Sequence, residues 1–234
     1  MIVKFCDRSH NPFVSETSIQ LGTLYYYSST DNDFIRDRDE GEINRTFHPP
    51  RPAVYTGNDI ARMTGLPISG TGTIRFAGRA VKTTHPLPNA YVFCTSRLLE
   101  PTLEHAALFG YNSWYVIRDA SGLCNAVARE VRRQVAPDSD ILAFHGEVSY
   151  QEVKEVVYSD ISDFFRSHHV IDPGAYLLKR QRSRQDGLKV YAREQEYRFV
   201  FLPVGEDRRP IPLAKDRICL DASCISQFIE EGAV

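Results

Sequence analysis

The sequence predicts an α+β protein with a mixed or antiparallel central sheet and short flanking helices. Runs of apolar and aromatic residues of strand length recur along the chain, and one segment has the four-residue apolar repeat of an amphipathic helix. The 234 residues, of which 42% are apolar, suffice for one packed core, and the chain has neither an internal repeat nor a clear linker. We therefore predict a single domain over residues 1–234.

The first half of the chain reads as strands separated by irregular segments. The stretch from Ala90 to Thr95 is nearly all apolar, which is typical of a strand at the centre of a sheet. Consecutive tyrosines give Leu21–Ser29 the composition of a strand. Charged residues from 31 to 42 predict a loop, and repeated Gly and Pro predict irregular structure from Pro49 to Gly72. The other strands predicted in this half are 2–6 and 73–83.

The second half contains the clearest helix. Leu123, Val127, Val131 and Val135 recur every fourth residue and form one apolar stripe, just after a predicted strand at Ser113–Arg118. The other elements predicted here are a hairpin of Ile141–Tyr150 with Val153–Tyr158, a helix capped by Asp160 that runs to His168, a short helix that starts at 172–174, a basic loop at 179–184, a strand pair within 188–203, a closing strand at 217–220 and a final helix from Ser223 to Glu230.

Composition argues against several classes of protein. The amino terminus lacks a secretory signal and no segment is long and apolar enough to span a bilayer, so we expect a cytoplasmic protein without a membrane partner. The five cysteines are scattered and never form a C-x-x-C pair, which predicts reduced, buried thiols. No zinc-ligand spacing is present, and we predict no metal site. Because the net charge is only -2, any contact with nucleic acid would use a local patch.

The segment Lys189–Leu202 is the most informative for function. In a strand, Glu194, Glu196 and Arg198 would share one face, and a buried strand seldom gathers such charges unless a polar cleft receives them. A pair of carboxylates can orient a sugar hydroxyl, align a nucleophile and stabilise positive charge at an anomeric carbon. The alternative is an edge strand whose carboxylates pair with Lys189 and Arg198 in solvent.

Three further pairs of residues are candidates for ligand binding. Thr95 and Ser96 end the apolar strand, where their hydroxyls either bond a neighbouring carboxylate and hold the backbone around a ligand or simply cap the strand. Tyr25 and Tyr26 either stack against a planar heterocycle or are ordinary half-buried sheet residues. Arg36 and Arg38 either bind a pyrophosphate or pair with their acidic neighbours.

The order of these motifs resembles that of the ADP-ribosyltransferase superfamily, in its toxin-like branch. That branch carries an arginine on an early strand, an S-T-S-type strand end and a late (Q/E)-x-E. The chain also resembles small bacterial proteins, some linked to phage defence, through short motifs spread over most of its length. The matching segments here are Gly22–Tyr27, Asp39–Gly41, Tyr91–Ser96 and Lys189–Arg198.

The resemblance implies a split-sheet fold, NAD as the substrate and a role for each matched residue. Glu196 would bind the nicotinamide ribose, Glu194 would position the acceptor, and Ser96 would hold Glu196 in place. The S-T-S element is Cys94-Thr95-Ser96, so its first serine is absent. The early arginine is Arg36, Arg38 or Arg8, unless a tyrosine replaces it. The candidates for stacking on nicotinamide are Tyr25, Phe109, Tyr111 and Trp114.

The resemblance also implies partners and leaves alternatives. The acceptor of ADP-ribose would be a macromolecule, with RNA or DNA favoured over protein because a basic loop at 180–184 precedes the E-x-E motif. A toxin of this kind would also have a neutralising antitoxin protein as a possible partner. One alternative function is a non-catalytic defence module that senses a nucleotide. The other is a metal-dependent nuclease that uses Glu194, Glu196 and acidic residues at 37–42.

Overall fold

The protein has the predicted α+β class, with mostly antiparallel strands and a few short helices. A computed structural model describes residues 1–14, 18–30, 42–48, 53–64, 73–76, 80–151, 155–160, 164, 177–181 and 195–232. The chain divides into two compact units. Unit 1 comprises Met1–Gly41, Pro88–Glu152 and Leu177–Val234, and unit 2 comprises Glu42–Leu87 and Val153–Tyr176. The expectation of one domain over residues 1–234 stays a prediction.

The described strands are β1 (Ile2–Cys6), β2 (Ser18–Thr23), β3 (Glu42–Phe47), β4 (Ala53–Thr56), β5 (Thr73–Phe76), β6 (Val81–Pro86), β7 (Tyr91–Arg97), β8 (Ser113–Ile117), β9 (Asp140–Glu147), β10 (Ser149–Gln151), β11 (Glu155–Tyr158), β12 (Lys179–Gln181), β13 (Glu196–Val204), β14 (Arg217–Asp221) and β15 (Ile229–Glu231). The described α-helices are α1 (Leu24–Ser29), α2 (Gly57–Thr64), α3 (Leu103–Leu108) and α4 (Ala120–Val135).

The main sheet of unit 1 is built around β7, the strand that the sequence predicts to be central. One edge of β7 pairs with β13 along its length, and β13 pairs in turn with β9. The other edge changes partner: Tyr91 and Val92 pair with β2, whereas Ser96 and Arg97 pair with β1. The sheet therefore divides beside the middle of β7, and we call this region the fork.

Each face of this sheet is covered by a separate apolar cluster. On one face, α4 packs its stripe of Leu123, Val127 and Val131 against Phe93 and Phe199 of the central strands. On the other face, residues of β1 and β8 pack with α3; that cluster consists of Val3, Phe5, Leu98, Ala106, Trp114 and Val116. Apolar burial on both faces explains why the central strands read as nearly continuous apolar runs.

Unit 2 is a smaller assembly of strands. Its β3 lies between an antiparallel neighbour, β6, and a parallel neighbour, β11, while β4 and β5 form a separate antiparallel pair. Phe47 and Phe164 are buried with their ring centroids 5.9 Å apart. Arg45 is also buried, and its guanidinium lies 4.8 Å from the ring centroid of Tyr158. The guanidinium also donates hydrogen bonds to the Tyr158 hydroxyl and to the carbonyl group of Phe164, so aromatic and polar contacts both contribute to its stabilisation.

The prediction of a tyrosine-bearing strand at Leu21–Ser29 is wrong beyond Thr23. The strand β2 ends there, and Tyr25 and Tyr26 lie on α1. The Thr23 side chain accepts a hydrogen bond from the Tyr26 N–H at 3.1 Å, as an N-cap does. Strand propensity of the tyrosines is overridden by this cap and by the serine hydroxyls that bond the carbonyl group of Tyr25.

Three other predictions are corrected by strand pairing. The residues predicted to form a hairpin at 141–158 instead pair elsewhere, β9 with β13, β10 with β12 and β11 with β3. The basic loop begins as a strand, β12. The predicted helix at Ser223–Glu230 is replaced by two short 3-10 turns and β15, which pairs with β8 and so satisfies the backbone of that strand.

Two further findings bear on the composition argument. All five cysteines are free; Cys6 and Cys124 are buried, whereas Cys219 is exposed, so the prediction of buried thiols holds only in part. No helix among the described residues is both long and apolar enough to traverse a bilayer. Most of the helix predicted at 160–168, and residues 172–174 at the predicted start of a short helix, fall outside the described residues.

Candidate functional site

A cleft of about 470 Å³ lies in unit 1, beside the fork. Its volume falls within the range of about 300–1,000 Å³ that is usual for ligand sites. Its lining combines charged, aromatic and small polar side chains from strands that are far apart in the chain. Those used below are Lys4, Phe5, Tyr26, Tyr27, Cys94, Thr95, Ser96, Phe109, Tyr111, Arg180, Glu196 and Arg198.

Glu196 is the carboxylate of this cleft, and it is held by two arginines. Arg198 approaches it in a bidentate manner, with Nε 2.8 Å from Oε1 and Nη2 3.1 Å from Oε2. Arg180 donates from Nη1 to Oε2 at 2.8 Å. The three side chains are only 4%, 2% and 8% exposed, so the cluster is shielded from water. Charge-assisted bonds of this kind fix the orientation of the carboxylate.

The surroundings of Glu196 keep it ionised. Burial by itself would raise the pKa of this carboxyl group, but the charges of Arg198 and Arg180 and hydrogen bonds from Arg198 and Cys94 outweigh burial and lower the pKa to about 2. The site therefore presents a fixed negative charge at neutral pH. Burial and the negative charge of Glu196 both raise the pKa of the Cys94 thiol. The thiol therefore remains protonated and donates its hydrogen bond to Glu196.

Glu196 is buried because its strand is internal. β13 has a neighbour on each side, so the interpretation of Glu196 as a solvent-exposed edge residue is wrong. Gln195, just before the strand, has a positive φ of 43°, and its carbonyl group accepts from the Arg97 N–H at 2.7 Å. The Glu196 N–H donates to the Tyr150 hydroxyl at 2.9 Å. These contacts place the first residue of β13 at the cleft.

Ser96 and Thr95 lie on opposite faces of β7. Ser96 is the register partner of Glu196, and both side chains are buried. The hydrogen bonds recorded for the carboxylate come from the two arginines and Cys94, so Ser96 neighbours Glu196 through the strand pairing. Thr95 lines the cleft as well, but its hydroxyl donates to the carbonyl group of Tyr197 at 2.6 Å.

The tyrosines of α1 form one wall of the cleft. Tyr26 and Tyr27 line it with their rings 5.3 Å apart in an edge arrangement, and the Arg217 guanidinium lies 4.9 Å from the Tyr26 ring centroid. Gly22 permits this placement, because a Cβ there would approach Tyr27 to 2.8 Å and Tyr26 to 2.9 Å. The glycine of the G-x-L-x-Y-Y motif is thus required where the helix folds back onto its strand.

A second group of aromatic residues in the cleft follows α3. Tyr111 and Phe109 line the cleft, and Phe109 packs on Phe5 with 5.3 Å between ring centroids. The other two candidates for stacking are not among the lining residues: Tyr25 is 41% exposed, and Trp114 belongs to the apolar cluster beneath α3. The tyrosines that line the cleft are therefore Tyr26, Tyr27, Tyr111 and the buried Tyr115.

Some predicted site residues cannot be placed. Glu194, Arg36 and Arg38 lie outside the described residues, as does most of the acidic run at 37–42. Arg8 is exposed and is not among the residues that line the cleft. Within the described part of the chain, no group of three or more His, Cys, Asp or Glu side chains is arranged to hold a metal ion.

Sequence reasoning missed several important residues of the cleft. Lys4 lies in the opening strand, and its Nζ donates to the Cys94 carbonyl group at 2.9 Å, where the fork leaves that edge of β7 without a strand neighbour. Arg180 was assigned only to a basic loop, yet it is buried against Glu196. A charged residue that interrupts an apolar strand, as Lys4 does in IVKFC, was the available signal.

No protein-family model, curated protein or solved structure matches this chain. The functional argument therefore depends on the geometry of the cleft and on the motifs that line it.

Proposed function

We propose that the protein is an NAD-dependent ADP-ribosyltransferase of the toxin or defence-effector kind. The observation that carries this proposal is the position of Glu196, a buried and ionised carboxylate that lies beside Ser96 in a cleft walled by tyrosines. The order and pairing of these residues agree with the split sheet and late E-x-E motif of that superfamily. The central fork is the feature of the fold that opens such a cleft.

The chemistry would be substitution at the anomeric carbon of the nicotinamide ribose. The bond from that carbon to nicotinamide breaks, nicotinamide leaves with the electron pair, and the ribose acquires positive charge. Glu196, held as an anion by its surroundings, stabilises that charge and binds a ribose hydroxyl. A nucleophilic atom of the acceptor then donates an electron pair to the carbon and loses its proton. Glu194 would align that acceptor.

The aromatic walls suit the planar parts of the substrate. Tyr26, Tyr27 and Tyr111 provide rings for stacking and hydroxyls for hydrogen bonds to ribose. Arg198 acts as a positioning residue, since two N–H donors of its guanidinium group hold both oxygens of Glu196. Lys179 begins the basic stretch at 179–184, which favours an anionic acceptor such as RNA or DNA over protein, whereas Arg180 of that stretch is committed to Glu196.

The direct test is transfer from labelled NAD in the presence of cell lysate, separated afterwards into protein and nucleic-acid fractions. We expect label in a macromolecular fraction and release of nicotinamide, both lost in Glu196→Gln. Glu104→Gln, on the exposed side of α3, is the matched control and should behave as wild type. Circular dichroism must show that each variant is folded. Folded wild-type protein that neither releases nicotinamide nor transfers label would refute the proposal.

One observation favours a second candidate, a module that senses a nucleotide without turning it over. Both oxygens of Glu196 already accept hydrogen bonds from Arg198, Arg180 and Cys94, so a substrate hydroxyl would have to compete for them. A sensor of this kind would bind NAD without releasing nicotinamide and would tolerate Glu196→Gln. The nuclease alternative has no comparable support, because the recorded ionic partners of Glu196 are guanidinium groups and not carboxylates.

A further inference from the structure

Among the described residues, the Lys4 ammonium group makes its direct contacts with uncharged groups. Its Nζ donates to the carbonyl oxygen of Cys94 at 2.9 Å and lies 4.9 Å from the ring centroid of Phe93. Among the described residues no carboxylate forms an ion pair with it, which distinguishes it from Arg180 and Arg198. An ammonium group has three donors, so the carbonyl oxygen of Cys94 leaves donor capacity directed at the cleft.

The position of Lys4 makes this capacity accessible to a ligand. Lys4 lies on β1, close to the point where β1 and β2 separate along the edge of β7. It lines the same cleft as Glu196 and the tyrosines of α1. Burial lowers the pKa of the Lys4 ammonium group despite the nearby Cys94, Cys6 and Glu196 groups, so its charged form lacks full solvation. An anion beside it would restore that stabilisation.

The chemistry of the lining indicates which anion. A small carboxylic acid would make little contact with the aromatic walls, whereas a phosphate attached to a nucleoside would leave a planar base for Tyr26, Tyr27 or Tyr111. Phosphate oxygens accept strong charge-assisted hydrogen bonds from ammonium groups. The aromatic walls and the ammonium group together therefore match a nucleotide more closely than a small carboxylic acid.

We propose that Lys4 binds a phosphate group of a nucleoside diphosphate, or of a larger molecule that contains one, in this cleft. The proposal deepens the proposed function, on which it rests for the choice of a nucleotide. It assigns a phosphate contact to a residue of the opening strand, at the fork.

The test compares the binding of ADP, adenosine and inorganic pyrophosphate by calorimetry. We expect the wild-type protein to bind ADP more tightly than adenosine. In Lys4→Met, the affinity for ADP should fall about 10- to 100-fold, the usual worth of a charge-assisted hydrogen bond, while adenosine binding stays nearly constant. Lys82→Met, an exposed lysine on β6, is the matched control and should bind ADP as wild type does. The affinity for inorganic pyrophosphate distinguishes a site for nucleotides from a site for a free phosphate anion.

Each outcome bears on the proposal. Equal affinity of wild-type protein for ADP and adenosine would overturn it without any variant, even if Lys4→Met fails to fold. Undiminished ADP binding by folded Lys4→Met would also overturn it. Pyrophosphate that binds as tightly as ADP would overturn the choice of a nucleotide. Because ADP carries no nicotinamide, Lys4-dependent ADP binding by a protein without transferase activity would uphold this inference and refute only the proposed function.

Discussion

The two faces of the β7–β13 pair differ in the character of their side chains, although successive residues of each strand alternate between the two faces. On one face Glu196 and Arg198 lie opposite Ser96 and Cys94, and together they contribute to the cleft. On the other face Phe199 lies opposite Phe93, and both pack beneath α4. Strand geometry sends successive side chains to opposite faces, so the same strands supply the site and the core.

This difference shows how a charged site can be placed within a packed sheet. The apolar face needs only close packing, whereas each charge on the cleft face needs a partner, since the desolvation of an ion costs several kcal/mol. Glu196 obtains its partners from its own strand, in Arg198, and from β12, in Arg180. The packed core on the opposite face then holds the backbone of these residues in place. The contrast predicts different responses to mutation and to pH.

Glu196→Gln should have the largest effect. It leaves two buried guanidinium groups without their shared carboxylate, and we expect unfolding free energy to fall by about 3–5 kcal/mol at neutral pH. Because the folded-state pKa of about 2 lies below the ordinary value of 4.5, this contribution is present above pH 4.5 and is lost as the pH falls towards 2. Urea unfolding of both proteins across that range measures it. A difference that does not shrink on acidification would contradict the assigned pKa.

Phe199→Leu should have a moderate effect of a different character. Phe199 is fully buried, and its ring lies 6.0 Å from that of Phe93 and 5.5 Å from that of His145. We expect a loss of about 1–3 kcal/mol from lost packing, with little dependence on acidification because no charge is removed. The same urea series measures it. A loss that disappears at acid pH, as for Glu196→Gln, would mean that the two faces are not energetically distinct.

Tyr197→Phe should have the smallest effect on the unfolding free energy and should leave ligand binding in the cleft unchanged. The Tyr197 hydroxyl is hydrogen-bonded to His145 Nδ1 at 2.6 Å on the face opposite Glu196. Removal of one such bond should cost about 1 kcal/mol. ADP binding should be unchanged, and calorimetry on the variant measures this. A large loss of ADP binding would show that the two faces are coupled through the backbone of β13.

The parts of the site that sequence reasoning anticipated are those that depend on local alternation. Glu196 and Arg198 were expected on one face, and the structure places them there because alternation requires no information about distant residues. Arg180 and Lys4 were not assigned to the site, because their contacts with Glu196 and Cys94 join strands that are 16 and 90 residues apart. The tyrosines were expected in the right segment but on the wrong element, since a single threonine cap ends the strand.

The sequence by itself determined the class of the fold, the central position of the strand predicted at Ala90–Thr95 and the buried stripe of α4, because short-range periodicity reports directly which side chains are apolar. Only the tertiary structure decided that β1 and β2 share one edge of β7, and that Glu196 lies buried between two arginines. Strand partners are selected by packing and backbone hydrogen bonding across the whole sheet, and a carboxylate becomes buried or exposed according to that selection.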